Sequence, residues 1–353
     1  MGVRIIDASK DKRWDEFVLN HKLGSIYHHS AWKEVIEKSF THTTPLYFIL
    51  EDETGKLKAA IPFFLVKSWL TGVRLVSSPF SSYCDPLVDT LQDFNRLMKI
   101  ILQKKKELNA SYIEIRTKKN EGNPDLDKLK KHSQYITHIL SLEKGAKSLR
   151  RSFHRTCVRQ KINRAEKSNL TVREGESEKD MKTFYKLHLL TRKKHGLPPP
   201  PYKFLQNMWR IMRPKDLITL LLVEYENKTI AGLVLLKFKD TIYCEYNGVD
   251  DRFLRYCPNH CLLWKAIKMA CNKQYRYFDF GRSSSNNRGL IDFKRRWGAK
   301  EYGLDYFYYP EIKGISSIQE ENIKYRVVTE MERRMPLILT KISGKIIYRH
   351  LGG

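Results

Sequence analysis

Tyr277 to Gly298 reads YFDFGRSSSNNRGLIDFKRRWG, the stretch whose residue types are best suited to chemistry. Tyr277, Phe278 and Phe280 suit a half-buried strand, and the carboxylate of Asp279 is the odd member of that aromatic run. Gly281 breaks the strand. Arg282 to Gly289 then reads as a loop of Ser, Asn, Arg and Gly, side chains that bond locally to backbone and rarely enter a core. Beyond it Leu290, Phe293 and Trp297 recur at spacings of three and four, which predicts a helical turn that buries them while Lys294, Arg295, Arg296 and Lys300 fan outward. Strand, polar loop and cationic turn in succession make a site for an anionic group. Asp-Phe-Gly by itself does not indicate a kinase, because no Gly-rich phosphate loop, V-A-I-K strand or H-R-D loop accompanies it. A lysine on a basic turn also fits an ordinary solvated charge.

The chain around this stretch has 353 residues, 41% hydrophobic and 12% aromatic, enough for one sizeable core or two domains. No apolar run approaches a membrane span, and MGVRIIDASKDK lacks the apolar core of a secretion signal, so a cytoplasmic protein is expected. Six cysteines in such a chain imply free thiols. Cys257, His260 and Cys261, with Cys244 and Cys271 nearby, do not have the spacing of paired zinc knuckles, so no metal is expected. The formal net charge is +26, with 22 Lys and Arg against 17 Asp and Glu in residues 1–142 and 43 against 22 in residues 143–353. The second part is the electropositive one, and its field favours nucleic acid, nucleotide diphosphates or an anionic bilayer surface.

Hydrophobic periodicity lays out the elements that must hold the site. Helices at Asp11–Leu19 and Ala31–Phe40 precede strands at Pro45–Glu51, Leu57–Lys67 and Val73–Ser77, a long helix at Leu91–Leu108, and strands at Tyr112–Arg116 and Tyr135–Leu142. Lys144 to Lys167 reads as one helix with nine Lys or Arg and one Glu, on which Arg151, Arg155 and Arg159 line up at i+4. That row is either a solvated face or a contact for an anionic partner. The earlier order then recurs: helices at Glu178–Lys194 and Tyr202–Met212, strands at Leu217–Glu226, Thr229–Lys237 and Thr241–Asn247, a Pro-led helix at Pro258–Lys273, and the strand at Tyr277. Two copies of one architecture follow. Lys324 to Leu351 is an apolar and basic tail interrupted by Pro336 and Gly344. It suits either an interfacial membrane segment or a cover for the first domain, and packing on the first domain is the preferred reading.

SAWKEVIEKSF, LRRSFHRTCVRQKINRAEKSNLTV, YNGVD, LLWKAI and FDFGRSS followed by GLIDFKRRWGAK together resemble the FemAB-type branch of the GNAT acyltransferase superfamily, over nearly the whole chain. The look-alikes include FemAB-like proteins of exopolysaccharide and exosortase gene clusters. The resemblance implies an α/β (α+β) fold of two tandem GNAT-like domains, each a mostly antiparallel mixed sheet flanked by helices. The expected boundaries are 1–142, 143–315 and a helical tail at 316–353. It implies transfer of an aminoacyl or acyl group to an amine of a cell-envelope or extracellular-polysaccharide precursor. The co-substrate is aminoacyl-tRNA in preference to acyl-CoA, with no bound cofactor. Partners would be an anionic or lipid-linked precursor, the tRNA, and peripherally the inner membrane surface.

In that reading the family's Phe-Lys pair matches Phe293 and Lys294, and Lys294 would stabilise the developing oxyanion. Asp279 would orient the loop or accept a proton, Arg282 and Arg288 would clamp phosphate, and Tyr243, Tyr246 and Trp32 would line the acceptor site. Two departures bear on this. Ile36 stands where such proteins carry a precursor-anchoring lysine four residues after the tryptophan, and no helical-hairpin insertion for tRNA is visible, so the basic segment at 144–167 would substitute. Arg255 to Cys261 also lacks the glycines of a coenzyme A pyrophosphate loop. The rival from another class is a non-catalytic, basic double-GNAT module that binds nucleic acid or an anionic surface.

Overall fold

A switch of hydrophobic period from 3.6 to 2, made twice along the chain, builds the same set of strands twice. The computed structural model describes residues 2–69, 71–118, 129–311 and 323–351. Residues 119–128, between the expected strands at Tyr112–Arg116 and Tyr135–Leu142, and the start of the expected tail at 316–322 lie outside the described residues. The chain divides into a first unit of residues 1–135, 303–317 and 349–353, and a second of residues 136–302 and 318–348. The boundary expected at 142/143 therefore falls at 135/136, and residues 303–317 join the first unit.

The first unit runs β1 (Val3–Ile6), α1 (Arg13–Asn20), α2 (Ser30–Ser39), β2 (Thr43–Glu51), β3 (Leu57–Ser68), β4 (Gly72–Val76), α3 (Leu91–Glu107) and β5 (Tyr112–Lys118). β6 (Lys130–Ser141) starts in this unit and ends in the second. There follow α4 (Gly145–Ser152), a π-helical turn at Arg155–Arg159, α5 (Gln160–Glu166), β7 (Thr171–Glu174), α6 (Glu178–Lys194), α7 (Tyr202–Met212), β8 (Ile218–Tyr225), β9 (Lys228–Phe238) and β10 (Thr241–Val249). The chain continues through α8 (Pro258–Asn272), β11 (Tyr277–Ser284), α9 (Arg288–Arg295), β12 (Lys300–Tyr309), α10 (Ile323–Arg334) and α11 (Leu337–Leu351).

Within the first unit the strand order is β1-β2-β3-β4-β5, antiparallel except for the parallel pair β4–β5. Within the second it is β7-β8-β9-β10-β11, again antiparallel except for β10–β11. The parallel pair follows from connectivity, because a long helix, α3 or α8, intervenes and returns the chain in the same direction. Each set gains one strand from the other repeat: β12 pairs with β5 from Leu304 to Tyr309, and β6 lies next to β11. The mixed, mostly antiparallel sheets and flanking helices agree with the expected α/β class. Phe48, Phe63, Leu97 and Ile113 belong to the first core; Leu233, Ile242, Leu262, Ile267, Phe278 and Trp297 belong to the second.

The structure corrects two predicted elements. Lys144–Lys167 is not one helix: Phe153 ends α4 in an extended conformation, and the His154 side chain accepts the Cys157 N–H to start the next turn. Arg151, Arg155 and Arg159 therefore do not form an i+4 row. The tail packs chiefly on the second unit rather than the first. Gly344 lies so close to Pro199 that an added Cβ would sit 2.4 Å from its carbonyl oxygen, and Tyr348 meets Phe204. Only the last turn joins the first unit, where His350 Nδ1 is 2.9 Å from Ser68 Oγ.

Candidate active site

The site assembles where β10 and β11 part. Their parallel pairing runs from Thr241–Tyr277 to Tyr243–Asp279, and β10 carries a bulge between Cys244 and Tyr246. Bulges bend a strand and re-aim its side chains. Asp279 is 1% exposed, and its Oδ1 accepts from Thr137 Oγ1 on β6 at 2.6 Å and from the Gly281 N–H at 2.8 Å. The second bond helps hold Gly281 in the left-handed region at φ +74, which glycine adopts without steric cost. The chain so turned offers its carbonyls to α9.

Lys294 is the donor that meets them. It is 5% exposed, and its Nζ donates to Gly281 O at 2.6 Å, Ser283 Oγ at 2.8 Å and Arg282 O at 3.3 Å. Among the described residues no carboxylate lies within ion-pair distance of it. Burial pushes its pKa down to about 8, against the opposing influence of Cys244 and Asp279. Burial likewise pushes the neighbouring Cys244 thiol up to about 12, so it stays protonated at neutral pH. His138 on β6 is fully buried, and its Nε2 is 3.4 Å from Glu301 Oε1, which Arg295 also holds. Burial, then the Lys294 charge, push this imidazole down to about 4.

The predicted outward fan of α9 is thus wrong at its most important member. The helix starts at Arg288, with the Asn287 side chain accepting the Leu290 N–H, and it buries Ile291 and Lys294 while Leu290 is 37% exposed. Arg295 faces outward, as expected. Phe293 is half-buried, edge-on to His260 and Trp297 at 5.6 and 6.3 Å.

The other predicted residues divide. Arg282 is half-buried on β11 and gives a carbonyl to Lys294; Arg288 is exposed on the first turn of α9 and makes no ion pair among the described residues. Tyr243 is buried beside Asp279 in the register. Tyr246 is a packing residue rather than a cleft lining: it stands edge-on to His188 at 5.5 Å and to Phe204 at 6.4 Å, and burial drives its hydroxyl pKa well up. Trp32 is fully buried in the first unit, with Nε1 donating to Ser78 Oγ at 3.0 Å, which makes it a core residue there. Arg151 and Arg155 are exposed without carboxylate partners among the described residues, and Arg159 is half-buried.

Thr137, His138, Cys244 and Ser283 were not expected at this site. Ser283 lies in the stretch read as a polar loop but sits on β11, Cys244 was noted only beside the cysteine cluster, and Thr137 and His138 come from β6, where nothing in their own segment marks them. Of the cysteine cluster, Cys257 takes φ +57 ahead of α8, and His260 Nε2 lies 3.0 Å from the Cys157 carbonyl oxygen. A separate concavity of about 320 Å³ is lined by Leu190, Lys193, Lys194, Asp250, Asp251 and Arg333. Its charges largely pair off, Lys194 with Asp251 at 2.9 Å and Asp250 with Arg252 at 2.6 Å, so it offers less unmatched chemistry.

The comparisons with known proteins bear on the same region. Residues 152–295 match the acetyltransferase (GNAT) domain, and Lys294 lies within the match. A UDP-N-acetylmuramoylpentapeptide-lysine N(6)-alanyltransferase of Weissella viridescens is 24% identical over 139 residues; the alignment spans 39% of this chain and 41% of that protein's length. The crystal structure of FemX matches with a TM-score of 0.71 at 17% identity, over 86% of this chain and 97% of that one. The C-terminal domain of a putative lysylphosphatidylglycerol synthetase of Agrobacterium fabrum matches at 0.55 and 13% identity, over 87% and 93%. A tandem GNAT protein from the clavulanic acid pathway matches at 0.56 and 7%, over 87% and 97%. The fold is that of tandem GNAT proteins, and together these matches support the FemAB-like branch of the GNAT proteins.

Proposed function

We propose that the protein is an acyltransferase that moves an aminoacyl group, or a simple acyl group, onto an amine of a cell-envelope or extracellular-polymer precursor, with Lys294 as the cation that meets the transferring carbonyl. The observation that carries this reading is a lysine buried without a carboxylate at the parting of β10 and β11. A buried charge costs free energy unless it is well paired, and here only neutral oxygens hold it. Attack of the acceptor nitrogen on the carbonyl carbon puts negative charge on the carbonyl oxygen, and a fixed cation there stabilises that charge. Lys294 would exchange its longest hydrogen bond, to Arg282 O, for that oxygen. Asp279 acts as a positioning residue in this scheme, since its Oδ1 is engaged by Thr137 and by Gly281 N–H.

Aminoacyl-tRNA is the preferred donor. Arg151 and Arg155, exposed on either side of the break between α4 and α5, suit a phosphodiester backbone. The similarity to an alanyltransferase points the same way. The test is donor dependence: purified protein with an acceptor amine should turn over aminoacyl-tRNA, and Lys294→Ala should abolish transfer while leaving RNA affinity nearly unchanged. Rapid turnover of acetyl-CoA would overturn the donor assignment. RNA affinity without transfer, unchanged by Lys294→Ala and lost on neutralising Arg151, Arg155 and Arg159, would favour the non-catalytic binding module.

A further inference from the structure

α11 is turned opposite to an ordinary surface helix. An amphipathic helix on a soluble protein buries its large apolar side chains and exposes its polar ones. Here Thr340 is fully buried and Gly344 is pressed against Pro199, whereas Ile338 is 73% exposed, Ile342 49% and Ile346 51%, with Leu339 at 47%. The three isoleucines recur at i, i+4 and i+8, so they form one stripe along the helix. Lys341 and Lys345, also exposed, form a second stripe alongside. Leu337 to Leu351 contains no Asp or Glu.

Isolated exposed apolar residues are ordinary, but a continuous stripe of four marks a surface meant to be covered. The small-residue contact at Gly344 fixes the orientation, because any side chain there would collide with Pro199 and lift the helix.

We propose that the exposed face of α11 is a docking surface for an anionic lipid bilayer. The helix lies in the plane of the interface with Ile338, Leu339, Ile342 and Ile346 in the acyl boundary and Lys341 and Lys345 among the headgroups. Charge complementarity selects this occupant. The apolar stripe is flanked by lysines and no acid, which suits phosphate-bearing headgroups and lets the long lysine side chains reach them. No described helix is long and apolar enough to cross a membrane, so the contact is peripheral. The proposal stands independently of the transfer reaction.

Vesicle co-sedimentation of the full chain tests it, using phosphatidylcholine mixed with phosphatidylglycerol against phosphatidylcholine alone. The protein is expected to bind the anionic vesicles, and more weakly as salt rises. Ile338→Asp with Ile342→Asp should weaken binding about tenfold or more. Lys341→Glu with Lys345→Glu should weaken it about tenfold and remove most of the salt dependence. Because all four side chains are exposed, both double variants should melt at the wild-type temperature. No binding to anionic vesicles, equal binding to both vesicle types, or undiminished binding by the Ile338/Ile342 variant would overturn the proposal. So would a lipid-free dimer that this variant dissolves, which would assign the stripe to a second copy of the chain.

Discussion

Two buried lysines, one in each unit, are held in opposite ways. Lys33 in the first unit is 2% exposed, and its Nζ donates to Asp7 at 2.6 Å and Glu37 at 3.0 Å. Burial works against its charge, but those carboxylates outweigh it and hold its pKa above the ordinary lysine value. Lys294 in the second unit is buried to a similar degree and meets only two carbonyls and a hydroxyl, so burial prevails and the pKa falls to about 8. β5, the first-unit counterpart of β11, repeats the contrast, since its buried Arg116 is matched by Glu114 at 2.7 Å on the same strand. A cation whose counter-charge is built in is structural. One held by neutral dipoles retains the capacity to meet an incoming negative charge.

The largest effect should follow from removing the second-unit cation. Lys294→Met is expected to lower single-turnover transfer about a hundredfold or more, the scale of losing an oxyanion stabiliser, with near-native thermal unfolding. Breaking its support comes next. Asp279→Ala frees Thr137 and the Gly281 N–H, and should cost about tenfold in kcat with little change in donor KM, reflecting a mispositioned Lys294. Lys33→Met gives the converse outcome: chemical denaturation should show a loss of about 2 kcal/mol, moderated because Asp7 and Glu37 are partly exposed, while transfer per folded molecule is unchanged.

The smallest effect concerns acid stability. Burial lowers His188 to about 3, and His138 and His260 to about 4. The folded chain therefore binds these protons less readily than the unfolded one. Their contribution is full above pH about 6.5 and is lost as pH falls from there towards about 4 for His138 and His260 and about 3 for His188. Melts across that window should show the decline, and His138→Gln should flatten it slightly.

Much of the fold was legible because it rests on local period. β2, β3 and the long helices α3, α6 and α8 begin and end within a few residues of the positions that apolar spacing predicts. Which strand lies beside which is not a local property, so the placement of β6 and β12 with the other repeat's strands, and with it Thr137 and His138 at the site, was not readable. The break after α4 left no Pro or Gly to betray it; a histidine cap makes it. The site's composition was readable, but the phase of α9 was not. RGLIDFKRRWG offers one stripe through Leu290, Phe293 and Trp297 and another through Ile291, Lys294 and Trp297. The second is realised where strand-end carbonyls that need a donor meet the lysine, a requirement set by β11 rather than by the helix itself.

The pH dependence of single-turnover transfer from aminoacyl-tRNA tests the role of Lys294 most directly. With a low lysine pKa the ammonium is lost as pH rises through about 8, so the wild-type rate should fall on that limb. Lys294→Arg, which keeps its charge, should be slower yet show no such fall. An alkaline limb identical in both proteins, or undiminished transfer by Lys294→Met, would contradict the account.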